Sequence, residues 1–102
     1  MNHPRKSIDP VIHAPVRFSI VAALAPVEQS DFASLRDAVE ISDSALSKQI
    51  TTLENAGYVV VRKAFVGRRP RTYLSLSREG REALTLHIRA LRQIAEAVED
   101  PA

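Results

Sequence analysis

The residues best suited to chemistry are three arginines within four positions, Arg68, Arg69 and Arg71. Guanidinium groups collected in this way repel one another unless an anion lies among them, so folding stability alone does not explain the cluster. Their planar, multiply donating side chains suit phosphate oxygens. Gly67 and Pro70 mark the same segment as a turn. The pattern predicts a phosphate-binding loop, with a merely solubilising loop as the alternative.

The segments on either side of this loop have the composition of β-strands. A β-branched run extends from Tyr58 to about Val66, and residues 72–76 alternate with a period of two. We therefore predict a hairpin with its turn at 67–71. Neighbouring residues of a strand point to opposite faces, so only one of Arg62 and Lys63 can support the turn. The sequence leaves that choice open.

Charge is concentrated on this hairpin. Residues 58–81 contain seven cationic side chains and one anionic side chain, Glu79, giving +6, whereas the whole chain carries only +2. The segments before and after it, 1–57 and 82–102, each carry −2. A local basic surface on a mildly acidic body is typical of proteins that bind nucleic acid.

Helical periodicity, capping residues and breakers predict the rest of the fold. The expected elements, in the order α-α-α-β-β-α, are helices at about 15–25, 32–39, 43–56 and 78–98 and a hairpin at 58–76. The fold class is mainly α with a small β-hairpin (α+β), a winged helix-turn-helix. Residues 1–8 are expected to be a flexible tail, followed by a single domain at 9–98.

The third predicted helix has a polar outer face. With Leu46, Ile50 and Leu53 turned inward, short hydroxyl side chains and one lysine point outward, where they can reach base edges or phosphates. An ordinary solvated face is an equally good explanation of this helix alone. The candidate DNA-binding residues are Ser42, Ser44, Ser47, Lys48, Thr51, Lys63, Arg68, Arg69 and Arg71.

The last predicted helix carries an apolar stripe at heptad-like spacing. The stripe can pack against a second copy of the chain or back on the first helix, and we favour the second copy. Two-fold symmetry would then place two recognition helices about 34 Å apart, one turn of DNA. The candidate dimer-interface residues are Val11, Ile12, Leu84, Ile88, Leu91, Ile94, Ala95 and Val98.

Composition argues against several other classes of protein. The chain has no cysteine, which excludes thiolate metal sites and disulfides. No apolar run is long enough to cross a membrane, and no signal peptide is readable, so a cytoplasmic location is expected. The three histidines are too widely separated for a metal site, and His87 is expected to be a packed or interface residue. We expect no catalytic site and no cofactor.

Four segments resemble the MarR-like winged-helix regulators, in particular a small single-domain branch of that group. They are residues 42–50, 53–59, 67–72 and 76–84, with the sequences SDSALSKQI, LENAGYV, GRRPRT and LSREGREAL. The resemblance implies base-reading roles for Ser44, Ser47, Lys48 and Thr51 and wing roles for Arg68, Arg69 and Arg71. The terminal segments are short beside full-length members, so a built-in small-molecule effector finds no support.

Together these observations predict a sequence-specific regulator of transcription that binds double-stranded DNA as a homodimer and acts as a repressor. The third helix would lie in the major groove, with the wing on phosphates or in the minor groove. The alternative is a winged-helix module that binds another protein and has no specific affinity for DNA.

Overall fold

The computed structural model describes residues 3–99 of the chain. The helices and strands have the following bounds: a 3-10 helix at Pro4–Ser7, α1 at Pro15–Leu24, β1 at Ser30–Asp31, α2 at Phe32–Val39, α3 at Asp43–Asn55, β2 at Val59–Val66, β3 at Arg69–Leu76 and α4 at Arg78–Glu99. The predicted order of four helices and a hairpin is confirmed, with β1 and the 3-10 helix as additions.

Local chemistry fixes where the helices of the central unit begin. The Asp31 carboxylate accepts a hydrogen bond from the backbone N–H of Ser34 at 3.1 Å and caps α2. The Ser42 hydroxyl accepts one from the N–H of Ala45 at 3.1 Å and caps α3. Between them, Glu40 ends α2 in the left-handed region, at φ 60°. The sharp turn between the helices follows from this residue.

The core lies between α1, α2, α3 and the sheet. Its fully buried members come from every layer and include Ile20, Leu24, Leu35, Leu46, Leu53 and Leu74. The predicted inward stripe of α3 is confirmed, because Leu46 and Leu53 have no exposed surface and Ile50 is nearly buried. This stripe fixes the rotation of α3 and therefore which of its side chains face solvent.

The sheet has three strands in the order β1-β3-β2, so the predicted two-stranded hairpin is incomplete. In β1, Ser30 and Asp31 pair with Leu74 and Tyr73. Two polar residues carry no alternation that a sequence pattern could detect. The predicted turn at 67–71 is also too long, because β3 already begins at Arg69, opposite Val66.

Pro70 lies inside β3, opposite Phe65. In a two-residue hairpin the pair that flanks the turn is hydrogen-bonded and the next pair is not. The nitrogen of Pro70 therefore faces away from β2, toward the edge where β1 reaches only as far as Tyr73. A proline is tolerated there because no ladder hydrogen bond is lost.

The N-terminal segment lies against the body of the protein. Within the expected tail, the 3-10 helix Pro4–Ser7 contacts α4. Ile12 was predicted to lie at a dimer interface, but it has no exposed surface within the single chain. Leu84, with the same prediction, is 7% exposed and belongs to the core. Both predictions are wrong, because each side chain is already covered by its own chain.

Helix α4 is the longest element, and at 22 residues it measures about 33 Å. It packs on α1, β3 and the 3-10 helix. Toward its end Leu91 and Ile94 are half-buried, Ala95 is exposed and Val98 is 79% exposed. The molecule is correspondingly elongated, with principal extents of 62 × 24 × 21 Å.

Candidate nucleic-acid interface

The outer face of α3 presents the four side chains predicted to read bases. Ser44, Ser47, Lys48 and Thr51 are all exposed. The Thr51 hydroxyl donates to the backbone carbonyl of Ser47 at 3.0 Å, which leaves its oxygen available as an acceptor. Ser42 is exposed as well, but its hydroxyl is already used as the cap of α3. Any contact it makes with DNA must use the remaining hydrogen-bonding capacity of that oxygen.

Two polar contacts fix α3 on its neighbours. The Arg17 guanidinium of α1 donates from Nη1 to Oε1 of Gln49 at 2.9 Å. The Arg36 guanidinium of α2 contacts the Asp43 carboxylate, in the first turn of α3, at 2.8 Å. Hydrogen bonds from Arg36 to Asp43 and Asp37 raise the pKa of this arginine. Contacts from α1 and α2 thus hold the exposed face of α3 at a set angle.

The wing, defined as β2, β3 and the turn between them, ends in a tight two-residue turn. Gly67 has φ +64° and Arg68, the second turn residue, does not have a positive φ. This arrangement is that of a type II′ hairpin turn, which favours glycine at its first central position. Arg68 is therefore held at the tip of the wing, where it is exposed to solvent.

The register decides between Arg62 and Lys63. Lys63 lies on the same face of β2 as Val59 and Val61, the face that packs toward α3. Arg62 lies on the opposite face, where its guanidinium stacks 4.7 Å from the centre of the Tyr73 ring and donates to Gln29 at 3.1 Å. Lys63 is consequently the cation that lies between wing and helix.

A cleft separates α3 from the wing. We call it the helix–wing cleft; it is lined by Phe32, Ser47, Ile50, Thr51, Glu54, Val61, Lys63, Thr72 and Leu74. Its floor is apolar, and its rim carries three hydroxyls, one cation and one anion. The hydroxyls and the cation of the rim are groups that can bind phosphate oxygens.

The remaining wing arginines lie on the other face of the hairpin. Arg69 is opposite Val66 and Arg71 is opposite Ala64, so both alternate with the residues of the cleft face. Arg71 lies near the carboxylate of Asp31. Hydrogen bonds from Ser34 are the main reason that the pKa of Asp31 is lowered, and the charge of Arg71 adds to them.

The structure therefore brings Ser47, Thr51 and Lys63 together around one cleft and places Arg68 in the turn at the tip of the wing. Sequence reasoning missed three further residues of this surface: Glu54 and Thr72, which line the cleft, and Phe65, which projects from the wing. Thr72 and Phe65 could have been identified only from the strand register, which the two-residue turn sets. The solvent-facing position of Glu54 on α3 was readable from helical spacing.

Within residues 3–99, no three histidine or acidic side chains converge as metal ligands. None of the helices described is both long and apolar enough to cross a membrane.

Comparison with known proteins identifies the fold. An uncharacterized protein of Methanocaldococcus jannaschii is 26% identical over 89 residues, which are 87% of this chain and 97% of that protein. A transcriptional regulator homologue from Pyrococcus horikoshii OT3 superimposes with a TM-score of 0.88 at 22% identity, over 98% of this chain and all of that one. The transcriptional regulator MosR of Mycobacterium tuberculosis, solved in complex with DNA, gives 0.70 at 20% identity, over 93% and 68% of the two chains.

The family match covers the same elements that build the interface. The family described as a winged helix DNA-binding domain matches residues 16–95, from the first turn of α1 to near the end of α4. Its range includes α3, the wing and the helix–wing cleft. The chain thus belongs to the winged helix DNA-binding domain family, as its motifs predicted.

Proposed function

We propose that this protein is a sequence-specific, dimeric repressor that inserts α3 into the major groove of duplex DNA. One observation carries the proposal. The exposed polar face of α3, Lys63 in the cleft and Arg68 at the wing tip follow one another along one surface of the molecule. Major-groove contact by a helix and backbone contact by a cationic wing are the two requirements of this mode of binding.

The roles of the residues divide by chemistry. Lys48 and the hydroxyls of Ser44, Ser47 and Thr51 supply donors and acceptors for base edges. Lys63 and Arg68 neutralise phosphates, and Arg69 and Arg71 do so from the other face of the wing. Affinity then comes largely from counterion release and specificity from α3. The protein represses transcription if the DNA site that it occupies overlaps a promoter. It would act in the cytoplasm, where bacterial and archaeal DNA lies.

The wing is tested with the double variant Arg68→Ala/Arg69→Ala. We expect weaker binding to every duplex and a salt dependence whose logarithmic slope falls by about 1.8, since each lost phosphate contact removes about 0.9. Arg89→Ala/Arg92→Ala, on the exposed surface of α4, removes the same charge elsewhere and is the matched control. Equal slopes for wild type and the wing variant would show that the wing does not contact phosphates.

The recognition helix is tested by selecting bound fragments from random duplex DNA and sequencing them. We expect a two-fold-related motif with half-sites about 10 base pairs apart. Lys48→Ala should change the selected bases within each half-site, whereas Asn55→Ala, at the far end of α3, should not. If wild type fails to retard duplex DNA even at low salt, a protein-interaction module becomes the better explanation.

Dimerisation is proposed to use the end of α4. Leu91 and Ile94 are half-buried and Val98 is largely exposed, so the helix offers an apolar strip that continues from Ile88, which packs against the core. Val11, also half-buried, lies against the core near the N-terminus. Light scattering should give the mass of a dimer for wild type and for Gln93→Glu, and that of a monomer for Ile94→Glu. A monomeric wild type at micromolar concentration would overturn the dimer.

A further inference from the structure

Phe65 is a large apolar side chain left in solvent at the outer end of the wing. It is 74% exposed and does not belong to the core or to the hydrophobic residues that pack against the core. An exposed phenyl ring adds nothing to the stability of the single chain, and a cluster of such surface marks a contact with another molecule. Pro70, its cross-strand neighbour on the same face, is exposed as well, whereas the half-exposed Val66 lies on the opposite face.

The strand register defines which way this position faces. Val61, Lys63 and Phe65 alternate along one face of β2, opposite Leu74, Thr72 and Pro70 of β3. Val61 lies over the core, Lys63 lies at the cleft, and Phe65 is the next residue outward on that same face. At about 3.3 Å per residue, Phe65 is about 13 Å beyond Val61 along the strand. It therefore continues the helix–wing cleft away from α3.

Charge around the ring indicates what covers it. Lys63, Arg68, Arg69 and Arg71 all lie within the same hairpin, and no acidic residue occurs between Glu54 and Glu79. A second wing packed against this one would bring the two arginine clusters together, which like-charge repulsion opposes. Duplex DNA supplies phosphates for the cations and, between them, the apolar sugar walls of the minor groove.

We propose that Phe65 enters the minor groove of the bound duplex as an apolar wedge, flanked by cations that hold the two phosphate strands. This inference rests on the proposed DNA-binding function and adds to it a contact that does not depend on charge. Apolar side chains between base steps, or against them, are an established means of contacting and kinking DNA from the minor groove. In the proposed complex the ring would lie one phosphate strand away from the groove that α3 occupies.

The experiment compares wild type, Phe65→Ala, Phe65→Leu and Val60→Ala on a mixed-sequence duplex of about 30 base pairs, over a range of salt concentrations. Val60 is 50% exposed on the opposite face of β2 and serves as the matched control. Phe65→Ala should bind roughly 10- to 100-fold more weakly, the loss expected when a buried aromatic contact is removed. Its salt slope should stay that of wild type, because no phosphate contact is lost. Phe65→Leu should recover much of the affinity, and Val60→Ala should keep all of it.

Hydroxyl-radical footprinting locates the contact, since these radicals attack sugars exposed in the minor groove. Wild type should protect minor-groove sugars beside the α3 site, and Phe65→Ala should lose that protection alone. Binding within two-fold of wild type by Phe65→Ala, with the footprint unchanged, overturns the inference while leaving the proposed function intact. Absence of binding by wild type itself overturns both. Circular dichroism verifies that each variant is folded.

Discussion

The Tyr58 hydroxyl donates a 2.5 Å hydrogen bond to Oδ2 of Asp9. Tyr58 is the residue through which the chain passes from α3 into the wing, and Asp9 lies in the segment before α1. The other carboxylate oxygen of Asp9 accepts the N–H of Val11 at 2.9 Å. A single carboxylate thus fixes both the start of the N-terminal turn and the entry to the wing.

Removal of the Tyr58 hydroxyl should destabilise the protein. In Tyr58→Phe the half-buried carboxylate of Asp9 loses a donor, which we expect to lower the free energy of unfolding by about 1–2 kcal/mol. Urea unfolding followed by circular dichroism measures it. Tyr73→Phe is the control, since the hydroxyl of Tyr73 makes no hydrogen bond among the described residues. Equal losses in both variants would show that the Asp9 contact contributes nothing specific.

The same contact predicts behaviour at alkaline pH. The hydrogen bond to Asp9, with burial and the charge of Asp9, raises the pKa of Tyr58 to about 12. Because the folded-state pKa lies above the unfolded value of about 10, this stabilisation is complete below pH 10 and is lost as the pH rises through 12. Ultraviolet titration of Tyr73→Phe, which leaves one tyrosine, should give tyrosinate near pH 12. A midpoint near 10 would contradict the contact.

His87 should make the protein sensitive to acid. The side chain is fully buried in α4, and its Nδ1 accepts the N–H of Asp9 at 3.2 Å. The rings of His13 and Phe18 meet it edge to face at 5.3 and 5.2 Å. Burial, followed by the charge of His13, lowers the pKa of His87, against a smaller opposing effect of Asp9. The expectation of a packed histidine is confirmed.

The sign of the pH effect follows from this lowered pKa. Between the folded pKa and the unfolded value of about 6.5, the unfolded chain binds the extra proton, so stability is complete above pH 6.5 and falls as the solution is acidified. His87→Gln retains an acceptor for the Asp9 N–H and cannot titrate, so its free energy of unfolding should fall less between pH 7.5 and 5.5. His3→Gln, at an exposed position, is the control. An acid-induced loss in His87→Gln as large as that of wild type would refute the assignment.

The sequence predicted those parts of the fold that are set by contacts between residues close together in the chain. It did not predict the parts that are set by contacts between distant segments. The starts of α2 and α3 were predictable because Asp31 and Ser42 cap their own helices through bonds three residues away. Strand β1 was not predictable, since Ser30–Asp31 becomes a strand only by pairing with β3. Arg69–Pro70–Arg71 has the composition of a loop, and the open edge beside Pro70 allows it to be strand instead.

The same distinction between local and long-range contacts applies to the residues of the candidate site. The exposed residues of α3 followed from helical periodicity, and the cationic wing followed from charge counting. The choice of Lys63 over Arg62 needed the strand register, which a two-residue turn at Gly67 sets. Ile12 was misassigned because an apolar residue carries no information on whether its own chain or a second chain will cover it.

Gly80 should be required for the packing of α4 on the wing entry. In most helices Gly→Ala stabilises by up to about 1 kcal/mol. Here a Cβ at position 80 would overlap the backbone carbonyl oxygen of Tyr58, which also accepts the N–H of Ser77 at 3.0 Å. We expect Gly80→Ala to lower the free energy of unfolding by about 1–3 kcal/mol. Glu79→Ala, exposed in the same turn, should change it by less than about 0.5 kcal/mol. A stabilised Gly80→Ala variant would show that the two backbones are not in close contact.

Glu54 should weaken DNA binding in the wild-type protein. It is exposed on α3 and lines the helix–wing cleft with Lys63, on the path proposed for a phosphate strand. A carboxylate about 7 Å from a phosphate in a partly solvated cleft repels it by about 1 kcal/mol, so Glu54→Gln should bind about five-fold more tightly at low salt. The gain should shrink as salt screens the charge. Anisotropy titrations of Glu54→Gln and Glu28→Gln, an exposed acid outside the cleft, measure the effect at equal net charge. An equal gain in both variants would assign it to overall charge and would remove the phosphate strand from the cleft.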